Sequence, residues 1–356
     1  MTTLPSPAAF LPDGAFELID SHAGIADVHG HLMEEVVDRI RREGWFRMLA
    51  PRRWGGMALA LPKAVRLEEG LAYADGSVGW MVTLCSGAGW FGGFLPDRIG
   101  AELFNHPRLC IAGSGSPTGQ AHIIDGGYEV NGDWAYASGI LHATAYTANC
   151  VIWKDGAPLR GKDGLEVVRA FLFLPGEVRI REDWTGMGLV ATGSHGFSVK
   201  DMLVEEERAF VIDAAAAVDT DILYQYPFLP LAEATLAVNI SGMGWRFLDC
   251  CVEYFGRRPM PKAAAMLEQA RSELAGARGE FYRAVDRSWD ALEAGTPEPA
   301  LFEAVGQISH VLAGKVREWV DRLYPYAGLG AAGIYTTINR VWRDLHTAGQ
   351  HPLLIA

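Results

Sequence analysis

From Leu32 to Ile40 the apolar residues Leu32, Val36 and Ile40 recur every four positions, with Glu34, Glu35, Asp38 and Arg39 between them. That spacing predicts a helix with one buried stripe. A second helix is expected over Pro62 to Ala74. Behind it, Asp75-Gly76-Ser77 supplies an N-cap and turn for a third, strongly apolar helix carrying Val78, Trp80, Met81 and Leu84 on to Phe91. Residues 1–106 therefore read as a helical domain.

Past Pro107 the period shortens to β-rich runs punctuated by glycine: Leu109 to Ala112, His122 to Ile124, Tyr128 to Asn131, Ala145 to Trp153, Val167 to Leu174, Val178 to Glu182 and His195 to Val204. This density of short runs predicts an antiparallel barrel or sandwich over residues 107–212. Asp213 to Thr220 reads as an exit linker. Helical periodicity then returns in Leu231 to Phe255, Pro261 to Ala294 and Leu301 to Tyr324. A last helix from about Gly333 to Thr347 places Ile334, Ile338, Val341, Trp342 and Leu345 on one face. Residues 213–356 are expected to form an antiparallel helical bundle.

With 356 residues, 49% of them hydrophobic, the chain can bury a large core. Its net charge of −12 and scattered cations repel a polyanion, which argues against nucleic acid. Cys85, Cys110, Cys150, Cys250 and Cys251 include no C-x-x-C pair and suit a reduced, cytoplasmic protein. No window holds the roughly 18 uninterrupted apolar residues of a membrane span, and Met1 to Pro12 lacks the pattern of a secretory signal. His29-x-His31, with His22 nearby, has no cysteine or well-spaced carboxylate to complete a metal site. Gly328-Leu329-Gly330-Ala331-Ala332-Gly333 satisfies G-x-G-x-x-G but follows a helix, so a dinucleotide fold is not expected. No G-x-S-x-G elbow supports serine hydrolysis.

The stretch Gly126 to Gly139 reads as a strand, a tight Asn131-Gly132 turn and a second strand ending in Trp134-x-x-x-Ser138-Gly139. Strand alternation would put Trp134 and Ser138 on one side of a sheet, offering a planar redox ring both an aromatic wall and a hydroxyl. The same residues also suit an ordinary buried hairpin with a core tryptophan.

Helices, a small β domain and a helical bundle, in that order, accompany four local motifs. These are Leu71-Ala72-Tyr73-Ala74-Asp75-Gly76-Ser77-Val78-Gly79-Trp80; Pro117-Thr118-Gly119-Gln120-Ala121 before the hairpin and His142; Gly186-Met187-Gly188-Leu189-Val190-Ala191-Thr192-Gly193-Ser194; and Tyr326-Ala327-Gly328-Leu329-Gly330 with Asn339 to Thr347, ending in His351. Together they resemble the acyl-CoA dehydrogenase superfamily, in its two-component, reduced-flavin-dependent monooxygenase (hydroxylase) branch. Many of the dehydrogenases carry a C-terminal catalytic glutamate, whereas no glutamate follows Glu318 here. Glu233 and Glu253 are the alternative positions for such a base.

The resemblance implies an α+β, acyl-CoA dehydrogenase-like fold. It also implies reduced flavin (FMN or FAD) delivered by a separate flavin reductase, an aromatic or polyketide-like small-molecule substrate, and a homotetramer or homodimer. By resemblance, Trp134, Ala137, Ser138, Gly139 and Gly113 hold the flavin ring. Ser138, Ser114 and His351 are the catalytic candidates; Ser114 also suits a plain surface loop and His351 a solvated tail. Gly328 and Gly330 fall near the flavin phosphates, with Arg257 or Arg343 to neutralise them or to form surface salt bridges. Trp90, Phe91 and His142 line the substrate cavity, although an aromatic pair at a helix end also suits simple core. Two other readings remain: an acyl-CoA dehydrogenase or oxidase with bound FAD, and a non-catalytic relative that keeps the scaffold.

Overall fold

The Asp75 carboxylate accepts a hydrogen bond from the Val78 amide at 3.1 Å, so helix α4 (Gly76–Trp90) starts directly after α3 (Leu61–Ala74) ends. The two helices pack closely at Gly79, where a Cβ would come within 2.5 Å of the Ala72 backbone. The computed structural model describes residues 4–257 and 260–355. Before this pair lie α1 (Ala15–His29) and α2 (Glu34–Arg42), and after it α5 (Asp97–Phe104). The weakly amphipathic α1 and the short α5 left no distinct periodic signal of their own.

The sheet strands are β1 (Ile111–Ile124), β2 (Gly127–Trp134), β3 (Ala145–Lys154), β4 (Ala157–Pro158), β5 (Val168–Phe173), β6 (Arg179–Arg181), β7 (Gly196–Glu205) and β8 (Ala209–Phe210). They form one sheet in the order β6-β7-β2-β1-β3-β5-β8, with β4 beside β3. Neighbours are antiparallel except β1 and β3, which run parallel because the chain leaves the β1–β2 hairpin and returns along the other edge of β1.

Two sequence expectations change here. The runs Leu109 to Ala112 and His122 to Ile124 belong to one strand, β1, interrupted by a bulge in which residues 115–118 stand against the single residue Asn149 of β3. Pro117 and the glycines hid that continuity. The hairpin turn is Asp125-Gly126, with Gly126 at φ +79°, and not Asn131-Gly132. Asn131 and Gly132 lie inside β2 at a register shift, where the Asn131 side chain accepts from the Asp201 amide at 2.8 Å.

The C-terminal helices are α6 (Phe228–Arg257), α7 (Pro261–Glu293), α8 (Pro299–Leu323) and α9 (Thr337–Ala348). Their apolar faces merge with those of α3 and α4 into one core, while the sheet interior forms a second, smaller one around Trp134, Phe171, Phe173 and Phe197. A buried ion pair ties the first core together. Glu69 of α3 meets Arg278 of α7 at 2.6 Å and accepts further hydrogen bonds from Tyr282 at 2.5 Å and Ser241 at 2.6 Å. No described helix is long and apolar enough to cross a membrane.

Candidate active site

Trp134 closes β2, and its indole is 1% exposed. It stacks on Phe197, its Nε1 donates to the Asn149 carbonyl at 3.0 Å, and a Cβ at Gly119 or Gly132 would collide with it. This ring plugs the sheet core and presents no face outward, which corrects the expectation of an aromatic wall at Trp134. The outward ring is two residues later. Tyr136 is 73% exposed, sits at φ +64° and meets Trp184 edge-on at 6.0 Å. The signal was present in the sequence as Tyr136 within Trp-x-Tyr, but the bend after β2 ends the strand alternation that would have identified it.

The next residues are clamped. Ala137 N donates to His195 O at 3.1 Å and Gly139 N to Thr192 O at 2.9 Å, so residues 137–139 lie against the 189–195 bend. Gly139 is obligatory, at φ +77° and with Cys85 Sγ 2.7 Å from where a Cβ would stand. Between these glycine and alanine positions the Ser138 hydroxyl bonds Ser194 Oγ at 2.8 Å, and Ser194 bonds Thr192 Oγ1 at 2.6 Å. All three hydroxyl residues are buried. In the sequence, Thr192 and Ser194 stand out only as parts of the Gly186 to Ser194 motif.

Gly113 sits where β1 approaches β3 so closely that a Cβ would meet Thr147 at 2.2 Å. Ser114 is half-buried at the edge of the β1 bulge, and Gly115, Ser116, Pro117 and Thr118 are exposed. The bulge is pinned by Asn149 Nδ2 donating to Gly115 O at 2.8 Å and by the Thr118 hydroxyl donating to Asp133 O at 2.6 Å.

Along α4 nearly every side chain is buried; the partly open positions are Leu84 and Gly87, with Phe91 following in the next turn. Trp80, Leu84, Gly87 and Phe91 share one helical face, and a Cβ on Gly87 would meet nothing within 4 Å. At one end of this face Trp80 packs edge-on against His351 at 5.9 Å. Burial lowers the His351 pKa, so its imidazole is neutral at pH 7. Its segment is fixed by Arg317, which donates to Gly349 O at 2.9 Å and Leu354 O at 3.4 Å.

Other candidates are placed elsewhere. Trp90 is 1% exposed among Phe94, Tyr224 and Phe228, and so is core. His142 lies toward Arg41 and Glu34 of α2; burial, then Arg41, pushes its pKa down to about 4, and its buried Nε2 has no hydrogen-bond partner. Arg343 uses every N–H it has: on both Asp27 oxygens, on Met187 O, on Ile334 O and on Asn339 Oδ1. It has no donor left for a phosphate, which corrects that expectation. Arg257 is exposed at the end of α6, 3.9 Å from Glu253. Glu233 faces α8, 3.3 Å from His310. In the Gly328–Gly330 bend, Leu329 is 91% exposed and Gly328 has φ +74°. No cluster fit to hold a metal occurs among the described residues.

Residues 226–355 match the family model described as acyl-CoA dehydrogenase, C-terminal domain. The crystal structure of the HsaA monooxygenase from Mycobacterium tuberculosis superimposes with a TM-score of 0.90 at 26% identity, covering 98% of this chain and 93% of that one. Along nearly its whole length the chain is similar to the flavin-dependent monooxygenase branch of the acyl-CoA dehydrogenase superfamily. Within this branch it is 29% identical to the indole-3-acetate monooxygenase of Pseudomonas putida, over 98% of this chain and 92% of that protein. It is 27% identical to the flavin-dependent monooxygenase oxygenase subunit HsaA of M. tuberculosis, over 90% and 84%. A monooxygenase of this superfamily needs a surface for a flat tricyclic ring. The exposed Tyr136 ring, the buried Ser138 hydroxyl two residues along the chain and the exposed β1 bulge offer stacking, hydrogen bonding and open backbone, so the residues present fit a flavin.

Proposed function

We propose that this chain is the oxygenase component of a two-component system that receives reduced FMN or FAD from a separate flavin reductase and hydroxylates an aromatic small molecule. Reduced flavin supplies two electrons to O2, so one oxygen atom enters a substrate C–H bond as hydroxyl and the other leaves as water. Tyr136 and Trp184 form the wall for the ring, and Ser138 holds its N–H. Ser114 and the β1 bulge border the same surface.

The observation that carries the reading is His351 against Trp80. Nδ1 of the neutral His351 ring accepts from the Leu353 amide at 3.3 Å, and by exchanging that long bond for the O–H of a phenol the imidazole takes the phenolic proton, which makes the ring more nucleophilic toward oxygen. The α4 face from Trp80 to Phe91, open at Leu84 and Gly87, gives the substrate an apolar bed. Relatives named for indole-3-acetate and for resorcinol support an aromatic substrate. Exposed Leu329 and Tyr335 support packing of a second copy over the Gly328–Gly330 bend, in a homodimer or homotetramer, with the flavin phosphates at that boundary. Five buried, unpaired cysteines support a reducing, cytoplasmic setting.

The test is anaerobic mixing with reduced FMN or FAD, followed by oxygen in the presence and absence of phenols and indoles. A long-lived near-ultraviolet absorbance and substrate-dependent product are expected. Immediate return of free oxidised flavin, with all oxygen recovered as H2O2 whatever substrate is added, overturns the proposal.

A further inference from the structure

The buried hydroxyls around Ser138 have a direction, and the donor count decides it. A carbonyl oxygen only accepts. Thr192 Oγ1 lies 2.6 Å from Leu189 O, a separation at which two oxygens without a proton between them repel, so the Thr192 proton is committed to Leu189. Thr192 must then accept from Ser194 at 2.6 Å, which uses the single Ser194 proton. Ser194 in turn accepts from Ser138 at 2.8 Å. The Ser138 proton points into the protein, and only lone pairs remain for anything outside.

We infer that Thr192 and Ser194, anchored by Asp344, are positioning residues that turn Ser138 into a hydrogen-bond acceptor and so make the site select a ring that carries an N–H over the same ring without one. The inference rests on the flavin reading of this site. The anchor is as specific as the chain. Leu189, whose carbonyl receives the Thr192 proton, donates its own amide to Asp344 Oδ1 at 2.6 Å. Helix α9 and the bend meet at Gly188, where a Cβ would stand 2.1 Å from Arg343 O. Asp344 is buried beside Gly76 and is surrounded by Asp75, the N-cap of α4, Asp27 of α1 and Arg340 of its own helix. Trp184 Nε1 also donates to Leu189 O, at 3.1 Å, so the pair formed by exposed Tyr136 and half-buried Trp184 and the hydroxyl chain hang on one peptide unit.

Reduced flavin carries a hydrogen on the central-ring nitrogen that oxidised flavin lacks. An acceptor at Ser138 therefore favours the reduced form, whereas a hydroxyl free to rotate can donate to the oxidised one. In Thr192→Val, a nearly isosteric change, Ser194 loses its acceptor and turns to donate to Ser138, freeing the Ser138 proton to point outward. Thr192→Ser keeps the direction.

The experiment is equilibrium binding of reduced flavin (anaerobically) and of oxidised flavin to the full chain, for wild type, T192V, T192S and S138A. Wild type and T192S are expected to bind the reduced form more tightly. In T192V the ratio of the two dissociation constants should fall about fivefold, the net worth of one hydrogen bond, and S138A should fall alike. An unchanged ratio in T192V, with S138A reduced, overturns the directional chain. Failure of wild type to bind flavin in either state overturns the function itself, a distinguishable result. A T192V protein with a wild-type thermal midpoint and far-ultraviolet spectrum assigns the change to the hydrogen bonds and not to folding.

Discussion

Asp344 and Leu189 are 155 residues apart in sequence and joined by a 2.6 Å hydrogen bond in which the Leu189 amide donates to the carboxyl. That contact fixes the last helix of the bundle to the bend that holds Ser138. Burial, with Asp75 nearby, raises the Asp344 pKa from 3.8 to about 8. The folded state thus holds a proton that the unfolded chain releases near pH 4. The associated stability is fully present below the unfolded value, declines as pH climbs between the two, and is gone once pH passes the folded one. The thermal midpoint of wild type should fall over about pH 5 to 8 more steeply than that of Asp344→Asn, which has no proton to lose. Equal slopes in a pH series of melts would remove Asp344 as the titrating group.

Replacing Trp134 and replacing Tyr136 should have opposite signatures. Trp134→Ala empties a packed site and should cost on the order of 3–5 kcal/mol in denaturant unfolding. Tyr136→Ala, at an exposed ring, should leave stability within about 0.5 kcal/mol of wild type while weakening reduced-flavin binding. A flavin titration of both variants, alongside urea melts, checks the assignment; flavin binding unaffected by Tyr136→Ala would refute it.

Gly87→Leu should act on substrate size. A Cβ there meets no atom within 4 Å and the residue has no positive φ, so the fold should tolerate the change. Filling the open part of the α4 face should lower kcat/KM for phenols with long para substituents by about tenfold or more and spare phenol itself. Steady-state kinetics over a para-alkyl series reads this out; uniform loss across the series would place Gly87 outside the substrate path.

His351→Gln should lower turnover of a phenol by roughly 100-fold or more if the imidazole removes the proton. Because burial lowers its pKa below the ordinary 6.5, wild-type turnover should fall on the acid side of that value, as protonation removes the base. The variant should lose that acid limb. A pH–rate profile that keeps the limb in His351→Gln would assign it to another group.

Glu69→Ala should be the most damaging of the charge changes in the helical core. It strands Arg278, 3% exposed, among Tyr282 and Ser241, and breaking a buried pair in this way costs about 3–5 kcal/mol. Chemical denaturation measures it, and a loss under 1 kcal/mol would show the network to be dispensable.

Much of this protein was legible along the chain because the information was local. The Asp75 cap, the stripes of α2 and α3, the uniformly apolar α4 and the long proline-free segments of the bundle are each set by neighbours within a few turns, where periodicity and capping act. The motif around Ser138 was equally readable as a string of residues.

Orientation was not. Whether Trp134 or Tyr136 turns outward depends on where β2 stops and bends, and that is decided by Gly132 of the same strand together with Gly119 of β1 and Phe197 of β7 closing around the indole. Whether Arg343 is free depends on Asp27, more than three hundred residues earlier. The proton direction at Ser138 is set by Thr192, Ser194 and the α9 carboxyl group of Asp344 that holds their bend. Hydrogen bonds and packing of this kind act through space between segments distant in sequence, so only the assembled fold could choose among the residues that the sequence had nominated.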